Sequence, residues 1–121
     1  MDLYREEILD HYKHPRNFGE LTAFELKEAD RNASCGDNLA MGIKVKAGKI
    51  VNIKFTGIGC AVSMASASML TEMLKGKTLA QAGKINDAAM LKLLGIPISL
   101  TRQKCALLGV ALWQKLKQKL K

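Results

Sequence analysis

Aromatic side chains are scarce in this 121-residue chain: one Trp, two Tyr and three Phe, 5% in all. Proteins that grip single-stranded nucleic acid stack bases on aromatic platforms, and so few rings leave little to build one. A net charge of +8 would suit a polyanion, but no recognisable nucleic-acid module accompanies it. Long apolar runs are missing too; nothing approaches the ~20 consecutive apolar residues of a membrane span. The opening "MDLYREEILDH" breaks every apolar pair with charge, so no secretory leader is expected and the expected compartment is the cytoplasm. Internal repeats and low-complexity linkers are absent. With 48% hydrophobic and 25% charged residues, one globular domain over residues 1–121 is expected.

Cys-x-x-Cys pairs are also absent. The three cysteines stand at 35, 60 and 105, so successive separations are 25 and 45 residues. An odd number in a chain without an export signal disfavours disulfides and favours metal or thiol chemistry. The bland alternative, small hydrophobic residues in the core, is common for cysteine.

What is present reads in order as helix, hairpin, helices. Asp2 caps a first helix to about Lys13, with Tyr4, Ile8 and Tyr12 four apart and Leu9 beside them as one apolar stripe. His14-Pro15 ends it. Residues 16–34 hold no period and predict a loop or an irregular edge strand. Leu39, Met41, Ile43 and Val45 then alternate with polar residues; after a turn at Ala47-Gly48-Lys49, Val51, Ile53 and Phe55 do the same. The period turns helical after "TGIGC": Ala65, Ser66, Met69, Leu70, Met73 and Leu74 mark one face, ending at Gly76. Thr78 with Gln81 is a capping box, and Asn86 caps a further helix ending at Gly95. From about Thr101 a last helix carries Cys105, Leu108, Leu112 and Leu116 on one side. The fold class is α+β, a small antiparallel sheet of about three strands with helices packed on one face.

Each cysteine falls at a junction. Cys35 and Asp37 precede the first hairpin strand, Cys60 follows the second, and Cys105 sits in the first turn of the last helix. In an antiparallel hairpin the entry of one strand adjoins the exit of the other, so Cys35, Asp37 and Cys60 should meet. Cys105 joins them if its helix starts at the same end. Three thiolates and a carboxylate make a tetrahedral set suited to Zn²⁺ or iron–sulfur chemistry, with the oxygen ligand the more readily exchanged. A helix N-terminus after Cys60, and Arg102 and Lys104 near Cys105, favour thiolate forms.

The blocks "LYREEILDHYKHPRNFG", "ASCGDN", "GIGCAVSMASASMLTEMLKGKT" and "KCALL" together resemble the U-type iron–sulfur assembly family, which includes IscU, SufU and the N-terminal domain of NifU. The resemblance runs from Leu3 to the final helix and implies the IscU-like fold. It implies a scaffold, not an enzyme with turnover of its own, that accepts sulfur from a cysteine desulfurase and binds iron or a transient [2Fe-2S] cluster, with Zn²⁺ in the resting form. Apo iron–sulfur proteins would be the acceptors. By position Cys35, Asp37, Cys60 and Cys105 match the zinc or cluster ligands; Cys105 matches the main sulfur acceptor, with Cys60 as a second. Tyr4 matches a tyrosine at dimer contacts, and a homodimer of the cluster-loaded form is implied. Lys104 stands where the Isc branch has histidine, as in the Suf branch, yet the 44 residues between Cys60 and Cys105 leave no room for the usual Suf insertion. "GIPISL" is all that represents the Isc chaperone-recognition segment, so an Hsp70-type chaperone is a doubtful partner. The alternative role is zinc-dependent sulfur transfer without cluster building. Readings outside the resemblance are a thiol-dependent sulfurtransferase or hydrolase using Cys60 or Cys105, and a basic nucleic-acid binder.

Minor features take plain readings. His11 and His14 are expected at the surface, though either could serve as a base. Met64, Met69, Met73 and Met90 read as core fillers rather than soft-metal ligands. Ser63, Ser66 and Ser68 read as small residues allowing close helix approach, with no Asp or His partner in view. Lys104 either steadies negative charge on sulfur or points to solvent. The lysine-rich end from Trp113 reads as a solvated face that could dock an acidic desulfurase surface.

Overall fold

A computed structural model describes residues 3–32 and 36–120. The chain runs α1 (Leu3–Lys13), β1 (Leu26–Asn32), β2 (Asp37–Lys46), β3 (Lys49–Ile58), α2 (Ala61–Leu74), α3 (Leu79–Ala82), α4 (Asp87–Leu94), α5 (Leu100–Ala106) and α6 (Leu108–Lys119). The three strands form an antiparallel meander in the order β1-β2-β3. Asp2, expected to cap α1, lies outside the described residues.

The sheet follows the alternation that predicts it. Leu39, Met41, Ile43, Ile53 and Phe55 are buried with Leu70, Leu112 and Trp113 of the helices, while Lys44 and Lys46 are exposed. One residue breaks the pattern: the register shifts between Lys44 and Val45, which pair with Asn52 and Ile50. Val51 is thereby left over as a bulge and is 45% exposed. Ile50, not Val51, fills the core. The hairpin turns on Ala47 and Gly48, both at positive φ (53° and 74°), the two-residue geometry whose twist matches the flanking strands. On the other side of the sheet the Phe24 ring lies over Gly42, where any Cβ would come within 2.7 Å of it.

Residues 26–32 are a regular edge strand rather than an irregular one, paired from Leu26↔Ile43 to Asn32↔Asp37. Its inward-leaning acids meet the C-terminal helix, with Lys115 3.2 Å from Asp30 and Lys119 ion-paired to Glu28. Lys117 Nζ donates to the Gly83 carbonyl at 3.4 Å. The lysine-rich face is solvent-exposed as expected, and ion pairs also tether it to β1; Lys121 lies outside the described residues. Trp113 anchors the same helix, its indole N–H donating to Ala82 O at 3.0 Å.

Helix starts and stops match the local chemistry. Thr78 and Gln81 form the reciprocal box, Asn86 accepts from the Ala89 N–H, and Gly95 closes α4 at φ 69°. The Tyr4 ring lies against Gly95, so close that a Cβ there would approach it to 2.2 Å. The final helix, in contrast, is two helices. Leu107, at φ −102° and ψ 1°, ends α5 and starts α6. Cys105 therefore sits in the last turn of a seven-residue helix, not in the first turn of a long one.

Helix α1 corrects the predicted stripe. Tyr4, Leu9 and Tyr12 are about half exposed (51%, 50% and 44%), whereas Ile8 and His11 are buried. The contact face runs through i and i+3 because α2 offers a hydroxyl there: Ser68 Oγ lies 2.7 Å from His11 Nδ1 and accepts the Arg16 N–H at 2.8 Å. Ser68 thus ties α1 and the turn after it to α2 through one hydroxyl. Burial, then the nearby Arg16 charge, holds the His11 pKa below the usual 6.5, against the opposite pull of Glu7, Asp10 and Glu72. The unfolded chain then binds the proton more readily, so this contribution to stability is complete above the unfolded pKa of 6.5 and is lost as pH falls below it. Thermal melts should therefore drop between pH 7.5 and 5.5, with a shallower slope in His11→Asn; equal slopes would assign the acid sensitivity to other groups.

Candidate metal and sulfur site

The end of the sheet opposite the hairpin turn collects the chemistry. Asp37 opens β2, Cys60 precedes α2 and Cys105 closes α5. Their ligand atoms all lie within 4.8 Å of one another. Asp37 and Cys105 are buried, at 1% and 0% exposure, and Cys60 is half-buried. Cys35 lies outside the described residues; Gly36 beside it has φ 72°, a conformation glycine adopts freely.

Backbone sterics fix the approach of β3 to β2 just before Cys60. Gly57 has φ 140°, and a Cβ there would fall 2.0 Å from Asn38 O. Only glycine lets the strands close at this level, one residue from Asp37. Cys60 then sits at the N-cap of α2 in an extended conformation, without a side-chain cap of its own. Asp37 takes over that task from the neighbouring strand: its Oδ1 accepts the Cys60 N–H at 2.9 Å and its Oδ2 accepts the Ser63 hydroxyl at 2.6 Å. On the other side of Cys105, the buried Asn32 amide donates to its sulfur at 3.6 Å.

Electrostatics favour the ionised forms. Burial pushes the Asp37 carboxyl up, but hydrogen bonds from Ser63, Cys105 and the Cys60 N–H, with the charge of Arg102, outweigh it and leave it below the usual carboxylate range. For Cys60, burial and the Asp37 charge raise the thiol pKa, while the Ser63 backbone and hydroxyl and the Cys105 thiol lower it; the net direction is down. A thiolate at a helix N-terminus is the form that attacks electrophilic sulfur or binds a soft cation.

Two soft sulfurs and one hard oxygen within 4.8 Å suit zinc or iron. The set is made by three elements remote in sequence and owes nothing to a local motif. Sequence reasoning missed Ser63 and Asn32, which touch Asp37 and Cys105. It also read the buried serines as mere spacers, yet Ser63 partners Asp37 and Ser68 partners His11. No periodicity signals such contacts, because they join residues 26, 73 and 57 positions apart. His14 carries no feature that ties it to the site.

A family model described as the NifU-like N terminal domain matches residues 3–118. The chain belongs to this family. Among curated relatives of this NifU-like domain, "Iron-sulfur cluster assembly scaffold protein IscU 1" of Archaeoglobus fulgidus is 41% identical over 93 residues, 77% of this chain and 61% of the relative. "Zinc-dependent sulfurtransferase SufU" of Bacillus subtilis is 44% identical over 80 residues, 66% of this chain and 54% of the relative. The matched part thus spans about three-fifths or less of these relatives. Among solved structures, a candidate iron–sulfur assembly scaffold for the SUF system of Fervidobacterium islandicum superposes with TM-score 0.76 at 28% identity, covering 96% of this chain and 95% of that one. The N-terminal part of a NifU-like protein from Brucella abortus, at 18% identity and TM-score 0.75, covers 98% of this chain and 96% of its own and shares the fold. No helix among the described residues of the NifU-like domain is long and apolar enough to cross a membrane.

Proposed function

We propose that this NifU-like domain is an assembly scaffold for iron–sulfur clusters, accepting sulfur from a cysteine desulfurase and holding iron or a transient [2Fe-2S] cluster for transfer to apo-proteins. The observation that carries the reading is the convergence of Asp37, Cys60 and Cys105 within 4.8 Å from three separate elements. Cys35 supplies the fourth donor in this reading. The same four residues would hold Zn²⁺ in the resting protein, and zinc when bound keeps the thiols deprotonated. The place of work in this reading is the cytoplasm, and the cluster-loaded state would form a homodimer.

Sulfur acceptance is thiol–persulfide exchange. A cysteine thiolate attacks the outer sulfur of the donor's persulfide; a new S–S bond forms on the acceptor, the donor's S–S bond breaks, and the donor leaves as its thiolate. No external oxidant or reductant enters. Of the two described cysteines, Cys60, half-buried with a lowered pKa, is the one within reach. Cys105, the acceptor implied by family resemblance, is fully buried, so its turn requires α5 to move.

The second reading, zinc-dependent sulfur transfer without cluster assembly, is favoured by the Bacillus relative's name and by Lys104 next to Cys105. Metal and acid-labile sulfide content of anaerobically purified protein separates the two. Iron and sulfide in equal amounts, about two each per cluster-bearing unit, support the scaffold. One zinc per chain without sulfide, before and after reconstitution with iron, sulfide and desulfurase, supports sulfur transfer. Protein that binds neither metal overturns both.

A further inference from the structure

Ser63 stands at the centre of the site although its oxygen is not one of the four candidate ligands. The residue is fully buried. Its hydroxyl oxygen lies 2.6 Å from Asp37 Oδ2, 3.3 Å from the Cys105 carbonyl oxygen and 3.7 Å from Cys60 Sγ. A hydroxyl has one proton to give, and the short contact directs it to the carboxylate. The other carboxylate oxygen takes the Cys60 N–H at 2.9 Å. Asp37 is thus pinned by two donors from the start of α2, one on each oxygen, with the Cys105 thiol as a further donor that is lost once its sulfur is ionised.

We infer that Ser63 is a positioning residue for metal binding, fixing the Asp37 carboxylate so that it faces the Cys60 and Cys105 sulfurs as a preorganised oxygen donor. The inference rests on the reading above that this site holds a metal. Without the hydroxyl, and once the Cys105 thiol has given up its proton to bind metal, only the Cys60 N–H still holds the Asp37 carboxylate, whose terminal torsion is soft. Outer hydrogen bonds of this kind are worth roughly 10–100-fold in metal affinity. Crowding reinforces the lock: a Cβ on Gly59 would come within 3.0 Å of Ser63 Cβ and 3.2 Å of Asp37 Oδ1, so glycine is what lets the three residues close. Ser66 gives a matched control. It is equally buried on the same helix, but its hydroxyl donates to the Ser63 carbonyl at 3.2 Å and not to Asp37.

The test is zinc affinity of the apo-protein by competition with a chromophoric chelator, paired with the visible absorption of the Co²⁺-substituted protein. Ser63→Ala should bind zinc about 10–100-fold more weakly with altered cobalt bands. Ser63→Thr, which restores the hydroxyl, and Ser66→Ala should stay within about threefold of the wild type, with wild-type cobalt bands. Wild-type affinity in Ser63→Ala, or an equal loss in Ser66→Ala, overturns the positioning role while the metal-site reading stands. No zinc uptake by the wild type overturns both. If circular dichroism shows Ser63→Ala unfolded, Ser63→Thr decides: a folded threonine variant with weakened zinc binding overturns the inference, and retained affinity supports it.

Discussion

Zinc-saturated protein should melt roughly 12–20 °C above the same protein stripped by chelation. A ligand at a thousand times its dissociation constant adds about 4 kcal/mol to folding stability. A domain of this size moves by ~3–5 °C per kcal/mol. Cys60→Ser should lose most of that shift. If an outer partner alone is worth 10–100-fold, losing a sulfur ligand costs more than about a hundredfold. At the same zinc concentration at most ~1.4 kcal/mol then remains, which is about 5 °C. Cys105→Ser should behave the same way, since its sulfur belongs to the same cluster. Differential scanning calorimetry with and without zinc reads both. If Cys60→Ser gains as many degrees as the wild type, zinc is binding elsewhere and the site assignment fails.

That outcome would test how far a site can be read from a chain before its fold is seen. The meeting of Asp37 and Cys60 was legible, because antiparallel pairing must bring the entry of β2 to the exit of β3. Their contact through the Cys60 N–H at 2.9 Å is that topological argument realised. Cys105 was legible as a participant but not in its setting. The apolar spacing of Leu108, Leu112 and Leu116 runs back to Cys105 as if through one helix, and nothing in residue type marks the break at Leu107. Both helices pack on α2, and α6 alone continues along β1 and β2. Buried polar contacts were the least legible part. His11 reads as a surface residue by composition, yet a serine on another helix makes its burial tolerable. A hydroxyl that satisfies a remote imidazole or carboxylate leaves no periodic trace, so Ser63 and Ser68 were indistinguishable in sequence from spacers.

The break at Leu107 leads to the second large effect, on thiol reactivity. In metal-free protein, iodoacetamide should modify Cys60 about a hundredfold faster than Cys105. Cys60 is half-buried with its pKa lowered. Cys105 has no exposed surface; the Asn32 amide donates to its sulfur and the Ser63 hydroxyl lies against its carbonyl. Reagent reaches it only when α5 lifts, a local opening that at about 3 kcal/mol slows labelling by some two orders of magnitude. Seven residues make a short helix, held at its start by the Ser99 hydroxyl on the Arg102 N–H at 3.3 Å, so such an opening is well below global unfolding. Peptide mapping by mass spectrometry over a time course separates the cysteines. Equal rates would mean that α5 stands open in solution and that Cys105 can accept sulfur unaided. A hundredfold gap that closes when a cysteine desulfurase is added would mean that docking uncovers Cys105, and under the proposed function sulfur delivery would then be gated by docking rather than by thiol chemistry.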